Sequence, residues 1–211
     1  MKKNFSIIII TLAGLALRLF RLGYHDLWYD EGASVIFSKY YFLAHNTHLF
    51  YTILHFWTKF FGINEFSVRF PAMVFSVISI PIIYMLGKKL LDHKTALIAA
   101  LIMAISPMQL WYAQEARAYS LVTMLGLISS YFAVLIITKK SRCWLFFILF
   151  SIMGLLAGEL YILLLVSQII LLSVHAYRKK DKDFIKNIFI SILIQRPTVL
   201  NQKRKYNPTF N

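Results

Sequence analysis

Two adjacent carboxylates, Asp30 and Glu31, lie just beyond the first apolar run of the chain. A tryptophan and a tyrosine precede them directly. A carboxylate beside apolar and aromatic groups is partly desolvated, which raises its pKa, and such a group at a membrane surface could accept a proton from a hydroxyl. Asp30 could also N-cap a helix that starts at Glu31, which is a common use of aspartate. The two roles are compatible, and the spacing alone favours the cap.

A second group of candidate residues is Gln114, Glu115 and Arg117, followed by Tyr119. On a helix Gln114 and Arg117 would share one face, and Glu115 and Tyr119 another. The guanidinium of Arg117 is a rigid fork of donors that matches a phosphate group. The alternative is an arginine that reaches towards water beside a local glutamate partner. The topology derived below places Arg117 in an outer turn, where arginine is unusual, and this favours phosphate binding.

Other titratable residues give weaker signals. His45, His48 and His55 lie near these carboxylates and could hold zinc, but their spacing matches no compact zinc motif. We therefore expect no cofactor and no metal, with a divalent cation as the alternative. Glu159 lies in a tight turn between apolar runs, where a functional role and plain solvent exposure are both open. The single cysteine, Cys143, excludes an internal disulfide and a cysteine-based metal site.

The composition is that of a membrane protein. Hydrophobic residues make up 59% of the 211 residues and charged residues only 15%, whereas soluble domains carry about a quarter charged residues. Several apolar runs approach the roughly 20 residues that span a bilayer. The first run, 2–20, resembles a signal peptide, but no small-x-small cleavage site follows it, which indicates an uncleaved first helix.

The apolar runs predict an all-α, multi-pass bundle of six or seven transmembrane helices. The segment 49–61 is short and aromatic, which predicts an interfacial helix in the first outer loop. Pro71 is expected in the first turn of the second helix. The predicted helices are 5–22, 70–86, 95–105, 119–137, 144–156 and 160–177, with a further short apolar run at 184–194. The polar tail 195–211 breaks this pattern and is not expected to be helical, which divides the chain into 1–194 and 195–211.

The distribution of basic residues fixes the predicted orientation. The net charge of +14 does not follow one face or stripe, which excludes a nucleic-acid-binding protein. The charges instead form short clusters between apolar runs, as in cytoplasmic loops facing anionic lipid. These clusters lie at 2–3, 88–94, 139–142 and 178–180. The N-terminus is therefore predicted inside, and Asp30, Glu31 and Arg117 outside.

Several segments, in matching order, resemble the family 39 glycosyltransferases, the protein-mannosyltransferase and aminoarabinose-transferase-like enzymes of GT-C fold. The segment 27–32 resembles their Asp-Glu motif, and 49–57 resembles the stretch that follows it. Segments 69–71 and 84–89 resemble the start and end of their second helix. The most specific match is 106–121, which contains Trp-Tyr-Ala-Gln-Glu-Ala-Arg-Ala-Tyr. The resemblance covers about 12–125 and implies a partial GT-C fold.

The resemblance implies a polyprenyl-phosphate-linked sugar donor and transfer on the outer face of the cell membrane, as part of cell-envelope chemistry. The acceptor would be a hydroxyl of a protein, lipid or glycan. By this resemblance Asp30 is the general base, Glu31 supports it or positions the acceptor, and Arg117 pairs with the donor phosphate. Gln114, Glu115 and Tyr119 complete the expected substrate-binding set.

The sequence also departs from the family. Asn46-Thr47-His48 stands where the family usually has His-Pro-Pro. Family members run to roughly twice this length, so we expect a truncated or frameshifted gene whose product does not turn over alone. Gln168 is then expected to face lipid at an unfinished bundle edge. The alternatives are a catalytically dead remnant or structural subunit, and a transporter or flippase fragment. A transporter would need ionisable groups at mid-membrane depth, which the main helices almost lack.

Overall fold

The computed structural model describes residues 2–40, 48–138, 143–180 and 182–205, and every regular element in these ranges is an α-helix. The all-α bundle predicted from the sequence is therefore confirmed. The helices are α1 Lys2–Leu19, α2 Tyr29–Tyr40, α3 His48–Phe61, α4 Glu65–Leu90, α5 His93–Ile105, α6 Pro107–Ala113, α7 Tyr119–Ile137, α8 Cys143–Ala157, α9 Tyr161–Lys179 and α10 Lys182–Lys205.

The helices divide by length and hydropathy into spanning and shorter ones. Within the described residues α4, α7 and α9 are long and apolar enough to cross a membrane, and α5 with α6 forms a fourth such segment, bent by 55°. Helices α1 and α8 are apolar but shorter. A helix lies at each of the six predicted positions, and the segment predicted to be interfacial is α3. The described spans number three or four, which is fewer than the six or seven transmembrane helices predicted. The chain is an integral membrane protein.

Helix α10 corrects the prediction for the C-terminal tail. The short apolar run and the residues after it form one helix as far as Lys205, so the expectation of a non-helical tail is wrong over 195–205. Glutamine, arginine, leucine and lysine are good helix formers. They carry the helix past Pro197, which removes a single backbone bond. The predicted division at 194 falls inside this helix.

The start of α4 also differs from the prediction. The Asn64 side chain caps the helix by accepting from the Ser67 N–H at 2.8 Å, so Pro71 lies inside the helix and not in its first turn. Proline has no N–H to donate to the carbonyl four residues earlier, which here belongs to Ser67. That carbonyl instead accepts from the indole N–H of Trp57 at 2.9 Å. The carbonyl that Pro71 leaves without a helical partner therefore accepts the hydrogen bond that joins α3 to α4.

Three clusters of buried apolar residues hold the bundle together. One joins α1, α4 and α5, the second joins α3, α4, α7 and α8, and the third joins α7, α8, α9 and α10. At the third, Gly154 leaves the space that the ring of Tyr161 occupies, as small residues do where membrane helices approach closely. Helices α4, α7 and α8 each contribute buried residues to two clusters and therefore connect the three clusters into one bundle.

Gln168 lies in the interior of the bundle and not at its lipid-facing edge, so that expectation is wrong. The side chain is buried, and its amide nitrogen donates to the hydroxyls of Ser129 and Ser130, both at 2.9 Å. The Tyr161 hydroxyl donates to Ser129 at 2.6 Å. These hydroxyls and the Gln168 amide nitrogen bond to one another between α7 and α9, as polar residues do between membrane helices, whereas the Gln168 amide oxygen has no partner among the described residues.

A fully buried arginine fixes the break between α5 and α6. The Arg18 guanidinium donates to the carbonyls of Met103 at 3.0 Å and Ala104 at 2.9 Å, and to the Ser76 hydroxyl at 2.8 Å. The last carbonyls of a helix have no partner within it, and Pro107 cannot supply one. A cation at a helix C-terminus is also favoured by the helix dipole. Arg18 therefore stabilises the bend that brings α6 over the end of α1.

Candidate functional site

A buried ion pair between Glu31 and Arg69 joins α2 to α4. The Arg69 Nε donates to Oε1 of Glu31 at 2.8 Å, and Nη2 donates to Oε2 at 2.7 Å. The main-chain N–H of Ala116 also donates to Oε1, at 2.9 Å. The Glu31 side chain is fully buried. This two-pronged, charge-assisted pairing connects α2, α4 and the turn after α6 through one carboxylate.

The rest of the Arg69 guanidinium is bound to main-chain oxygens. Nη1 donates to the carbonyls of Leu22 at 3.1 Å and His25 at 2.8 Å, and Nη2 donates to that of Asp26 at 3.1 Å. Together with the two bonds to Glu31, these contacts use all five N–H donors of the arginine. Arg69 therefore has no donor left for a ligand. Its signal in the sequence was a charge near the start of a membrane-spanning helix, where a charged side chain is expected to have a partner.

Helix α2 begins at Tyr29, two residues earlier than the capping interpretation required. The Trp28 carbonyl accepts from the N–H groups of Glu31 and Gly32, both at 3.0 Å. Oε2 of Glu31 accepts from the Trp28 N–H at 3.4 Å, as in a capping box. The interpretation of Asp30 as the cap is therefore wrong, because Trp28 and Glu31 cap the helix.

Asp30 thus lies in the first turn of α2 with its side chain available. The residue is half-buried. Within the described part of the chain its carboxylate accepts no hydrogen bond, and only its main-chain carbonyl does, from Ser34 at 2.9 Å. A negative charge in the first turn of a helix is favoured by the helix dipole. Asp30 is therefore a carboxylate held in place by its backbone and open to a reaction partner.

The turn 114–118 between α6 and α7 carries the second set of predicted residues. Because this segment is not helical, the helical faces expected for Gln114 with Arg117 and for Glu115 with Tyr119 do not form. The Gln114 amide nitrogen donates to the carbonyls of Arg18 at 3.2 Å and Phe20 at 2.8 Å. This contact ties the turn to the end of α1.

Glu115 is buried and accepts a hydrogen bond from the indole N–H of Trp111. Burial raises the pKa of the Glu115 carboxyl, and the nearby charges of Glu31 and Asp30 raise it further, against the lowering effects of Trp111 and Arg117. The pKa of Glu115 therefore depends on the charges of Glu31, Asp30 and Arg117.

Arg117 is half-buried beside Tyr119, with its guanidinium carbon 5.7 Å from the centre of that ring. Tyr119 in turn packs on Tyr112 with ring centres 4.5 Å apart. Among the residues that the structure describes, no carboxylate lies within salt-bridge distance of Arg117. The charge of Asp30 is near enough to act on it. The expected local glutamate partner is thus not used, and this cation remains available.

A cavity of about 400 Å³ lies beside the ion pair, between the segment 21–28 that joins α1 to α2 and the residues of α6 and the turn that follows it. Its lining includes Glu31 and Arg69, Glu115, and the side chains of Trp28 and Trp111. Both tryptophans are substantially exposed, at 48% and 68%. The site therefore combines fixed charges with open aromatic surface.

Of the three histidines considered as metal ligands, His55 is the one whose side chain the structure describes, and it does not line this cavity. Nδ1 of His55 lies 2.8 Å from the Ser38 carbonyl and links α3 to α2. His45 lies outside the described residues, and His48 begins α3. Within the described ranges no three histidine, cysteine, aspartate or glutamate side chains are grouped as metal ligands. Glu159 is half-buried in the turn between α8 and α9.

Fold and site together define an integral membrane helix bundle with a buried ion pair at one end, near a carboxylate, Asp30, and an arginine, Arg117, that form no ion pair within the described residues. The family model for dolichyl-phosphate-mannose-protein mannosyltransferase matches residues 45–199, which is well over half of the chain. The chain belongs to this family, whose members are membrane glycosyltransferases that use a lipid-linked sugar. The match includes Arg69 and 114–119 and begins after Asp30 and Glu31. No curated protein and no solved structure matches the chain.

Proposed function

We propose that this protein transfers a sugar from a polyprenyl-phosphate donor to an acceptor hydroxyl on the extracytoplasmic face of the cell membrane. The acceptor is a protein, lipid or glycan. The observation that carries the proposal is the Glu31 carboxylate, which bonds both to Arg69 and to the Ala116 N–H. Asp30 is adjacent to Glu31 in the sequence, and Arg117 is adjacent to Ala116. The Glu31 carboxylate therefore holds the backbones of Asp30 and Arg117 in one rigid unit.

Asp30 is the proposed general base. The acceptor oxygen attacks the anomeric carbon and gives its proton to the Asp30 carboxylate, while the bond from that carbon to the phosphate oxygen breaks. The carboxylate is suited to this because no described residue occupies its oxygens, and its position on α2 is fixed by the cap at Trp28. Positioned groups of this kind typically contribute about 10²- to 10⁴-fold to a rate.

Arg117 is the proposed partner of the donor phosphate. The leaving polyprenyl phosphate keeps the electron pair of the broken bond, and a guanidinium can stabilise that charge through two parallel hydrogen bonds. Arg117 has no carboxylate partner among the described residues, in contrast to Arg69. Three further residues complete the site. Tyr119 packs on Arg117, and Gln114 holds the turn to the end of α1. Glu115 accepts a hydrogen bond from Trp111.

Glu31 is assigned a positioning role. It is fully buried and accepts from Arg69, Ala116 and Trp28, so we assign it the alignment of Asp30 with Arg117. Glu31→Gln would place an amide N–H against a guanidinium, so it should lower the transfer rate together with stability.

Donor binding and transfer test this function separately. The 211-residue chain in nanodiscs should bind polyprenyl-phosphate mannose, and Arg117→Gln should weaken binding at least tenfold, whereas Arg178→Gln on the opposite side should not.

Transfer is measured in membranes with the chain extended by the further helices of a family member. Asp30→Asn should lower transfer by about 10²- to 10⁴-fold, with Glu65→Gln, another first-turn acid, as the control. Unchanged transfer by Asp30→Asn would refute the base, and equal donor binding by both arginine variants would refute the phosphate site.

A further inference from the structure

The turn that joins α4 to α5 carries an exposed group of lysines and leucines, here called the hairpin patch. Lys88 and Lys89 lie in the last turn of α4, and Lys94 lies in the first turn of α5. All three are exposed. Leu90 and Leu91 lie between them with 57% and 67% of their surface exposed. Within the residues that the structure describes, no carboxylate lies within salt-bridge distance of these lysines, so their charges are available to a partner.

The one carboxylate in the segment 88–95 is already occupied by the backbone. Oδ1 of Asp92 accepts from the main-chain N–H groups of Lys94 at 2.7 Å and Thr95 at 3.1 Å. Oδ2 accepts from the Thr95 hydroxyl at 2.7 Å. Asp92 therefore serves as the N-cap of α5 and does not pair with a lysine. Three lysines against this one aspartate leave the segment with a net charge of +2.

The hairpin holds the patch in a fixed shape. Gly87 lies against Ala96, where an added Cβ would stand 3.1 Å from the Ala96 Cα, so the two helices approach closely at their joined ends. The Leu91 N–H donates to the Gly87 carbonyl at 2.8 Å and closes α4. The Tyr84 hydroxyl lies 3.0 Å from Nδ1 of His93 and links the two helices across the turn. A site that is already ordered loses less conformational entropy when a ligand binds.

The patch lies at the end of α4 opposite the candidate site. The 19 residue steps from Arg69 to Lys88 span about 29 Å at roughly 1.5 Å per residue. This length matches the hydrocarbon core of a bilayer, which is about 30 Å thick. With Arg69 at one boundary of the core, Lys88 therefore lies at the other. Ile7 of α1 packs in the same cluster as Tyr84, so the basic start of the chain approaches this end as well.

The combination of lysines and leucines distinguishes a lipid from a soluble anion. At the boundary of the hydrocarbon core a leucine side chain can lie among acyl chains, while a lysine extends its ammonium group to the phosphate level. A soluble polyanion would gain nothing from two exposed leucines. Each basic residue near an anionic membrane surface strengthens binding roughly fivefold.

We propose that the hairpin patch binds the headgroup of an anionic phospholipid. The three lysines contact its phosphate, and Leu90 and Leu91 lie beside its acyl chains. This contact fixes the depth of α4 in the bilayer from the end opposite Arg69. The inference does not depend on the proposed function, because none of these residues belongs to the candidate site.

Native mass spectrometry tests the proposal on the 211-residue chain in detergent, with phosphatidylglycerol or phosphatidylcholine added in increasing amounts. The wild type should bind its first phosphatidylglycerol more tightly than its first phosphatidylcholine. Lys88→Gln/Lys89→Gln should raise the dissociation constant of that phosphatidylglycerol at least fivefold and leave phosphatidylcholine binding unchanged. Lys88→Arg/Lys89→Arg keeps both charges and should retain the binding, which separates loss of charge from loss of fold. The matched control, Lys39→Gln/Lys59→Gln, removes two charges from α2 and α3 and should bind as the wild type does.

Two further variants locate the lipid and identify its chemistry. Arg178→Gln/Lys179→Gln removes the basic end of α9 and should leave the first phosphatidylglycerol in place. Leu90→Ser/Leu91→Ser should weaken its binding, and millimolar inorganic phosphate should not displace it.

Three results would overturn the proposal. The first is equal affinity of the wild type for the two lipids. The second is loss of the first phosphatidylglycerol in the α9 variant but not in Lys88→Gln/Lys89→Gln. The third is displacement by phosphate together with unchanged binding in the leucine variant, which would show a general anion site. Each of these results leaves the proposed sugar transfer untouched, because no measurement here requires turnover.

Discussion

Replacement of Arg69 by lysine tests whether the ion pair with Glu31 holds the site together. Lysine keeps the positive charge but offers three donors from one nitrogen, where arginine offers five from three nitrogens. At least two of the five hydrogen bonds that Arg69 makes are therefore lost. A single ammonium also cannot reach both oxygens of Glu31 and the three carbonyls on the other side of the guanidinium.

The cost follows from these contacts. Hydrogen bonds to charged groups contribute about 1.5–3 kcal/mol each, so the loss of two predicts a destabilisation of about 3–6 kcal/mol. Glu31 is fully buried, so solvent cannot replace the missing donors.

Unfolding of the purified protein in mixed detergent micelles, followed by circular dichroism, measures this loss. Arg117→Lys is the matched control, because no carboxylate lies within salt-bridge distance of Arg117 among the described residues, and we expect a change below about 0.5 kcal/mol. If Arg69→Lys stays within about 1 kcal/mol of the wild type, below the cost of a broken buried pair, the ion pair does not organise the site.

Three further predictions concern orientation, pH and the link between α3 and α4. A membrane-impermeant maleimide should miss Cys143 in intact cells and label it, slowly because it is buried, in inverted vesicles; labelling from outside would reverse the predicted orientation. The raised pKa of Glu115 means that the folded state binds its proton more tightly than the unfolded state, so wild-type stability relative to Glu115→Gln should rise as pH falls through the folded pKa. Thermal unfolding between about pH 4.5 and 7, a range that begins near the unperturbed glutamate pKa, checks the sign, and a difference independent of pH would contradict the shift. Trp57→Phe leaves the Ser67 carbonyl unpaired and should cost about 1–3 kcal/mol, but less in a Pro71→Ala background, where the new N–H can bond to that carbonyl; a denaturation double-mutant cycle with additive losses would exclude this coupling.

The bundle itself could be predicted from the sequence because membrane helices follow from apolar run length. The end of helix α9 at Lys179 agrees with the prediction to within two residues, since the basic cluster there ends the apolar run. The start of α4 was misplaced because Pro71 resembles a first-turn proline. Nothing local indicates that Trp57 bonds to the carbonyl that this proline leaves without a partner.

The candidate residues of the site could be named from the sequence one by one, but the contacts that connect them could not. Asp30 and Arg117 stand out by type and position. The pairing of Glu31 with Arg69 crosses 38 residues, and the bond from Ala116 to Glu31 crosses 85 residues. Such contacts depend on how the helices pack and leave no periodic pattern in one sequence. Main-chain donors such as the Ala116 N–H are also independent of residue type, so the sequence could not identify them.

The buried Arg18 has a consequence for the order in which the chain assembles during synthesis. Its partners on other helices, Ser76, Met103 and Ala104, follow it by 58, 85 and 86 residues. At about 5–20 residues per second, the ribosome needs roughly 4–17 s after Arg18 to produce the last of them. During that interval the guanidinium lies near the end of a short first helix, from which it can reach water. Helix α1 therefore reaches its final depth only after α5 has entered the bilayer, so the first segment to emerge becomes fixed only after four further helices have been made.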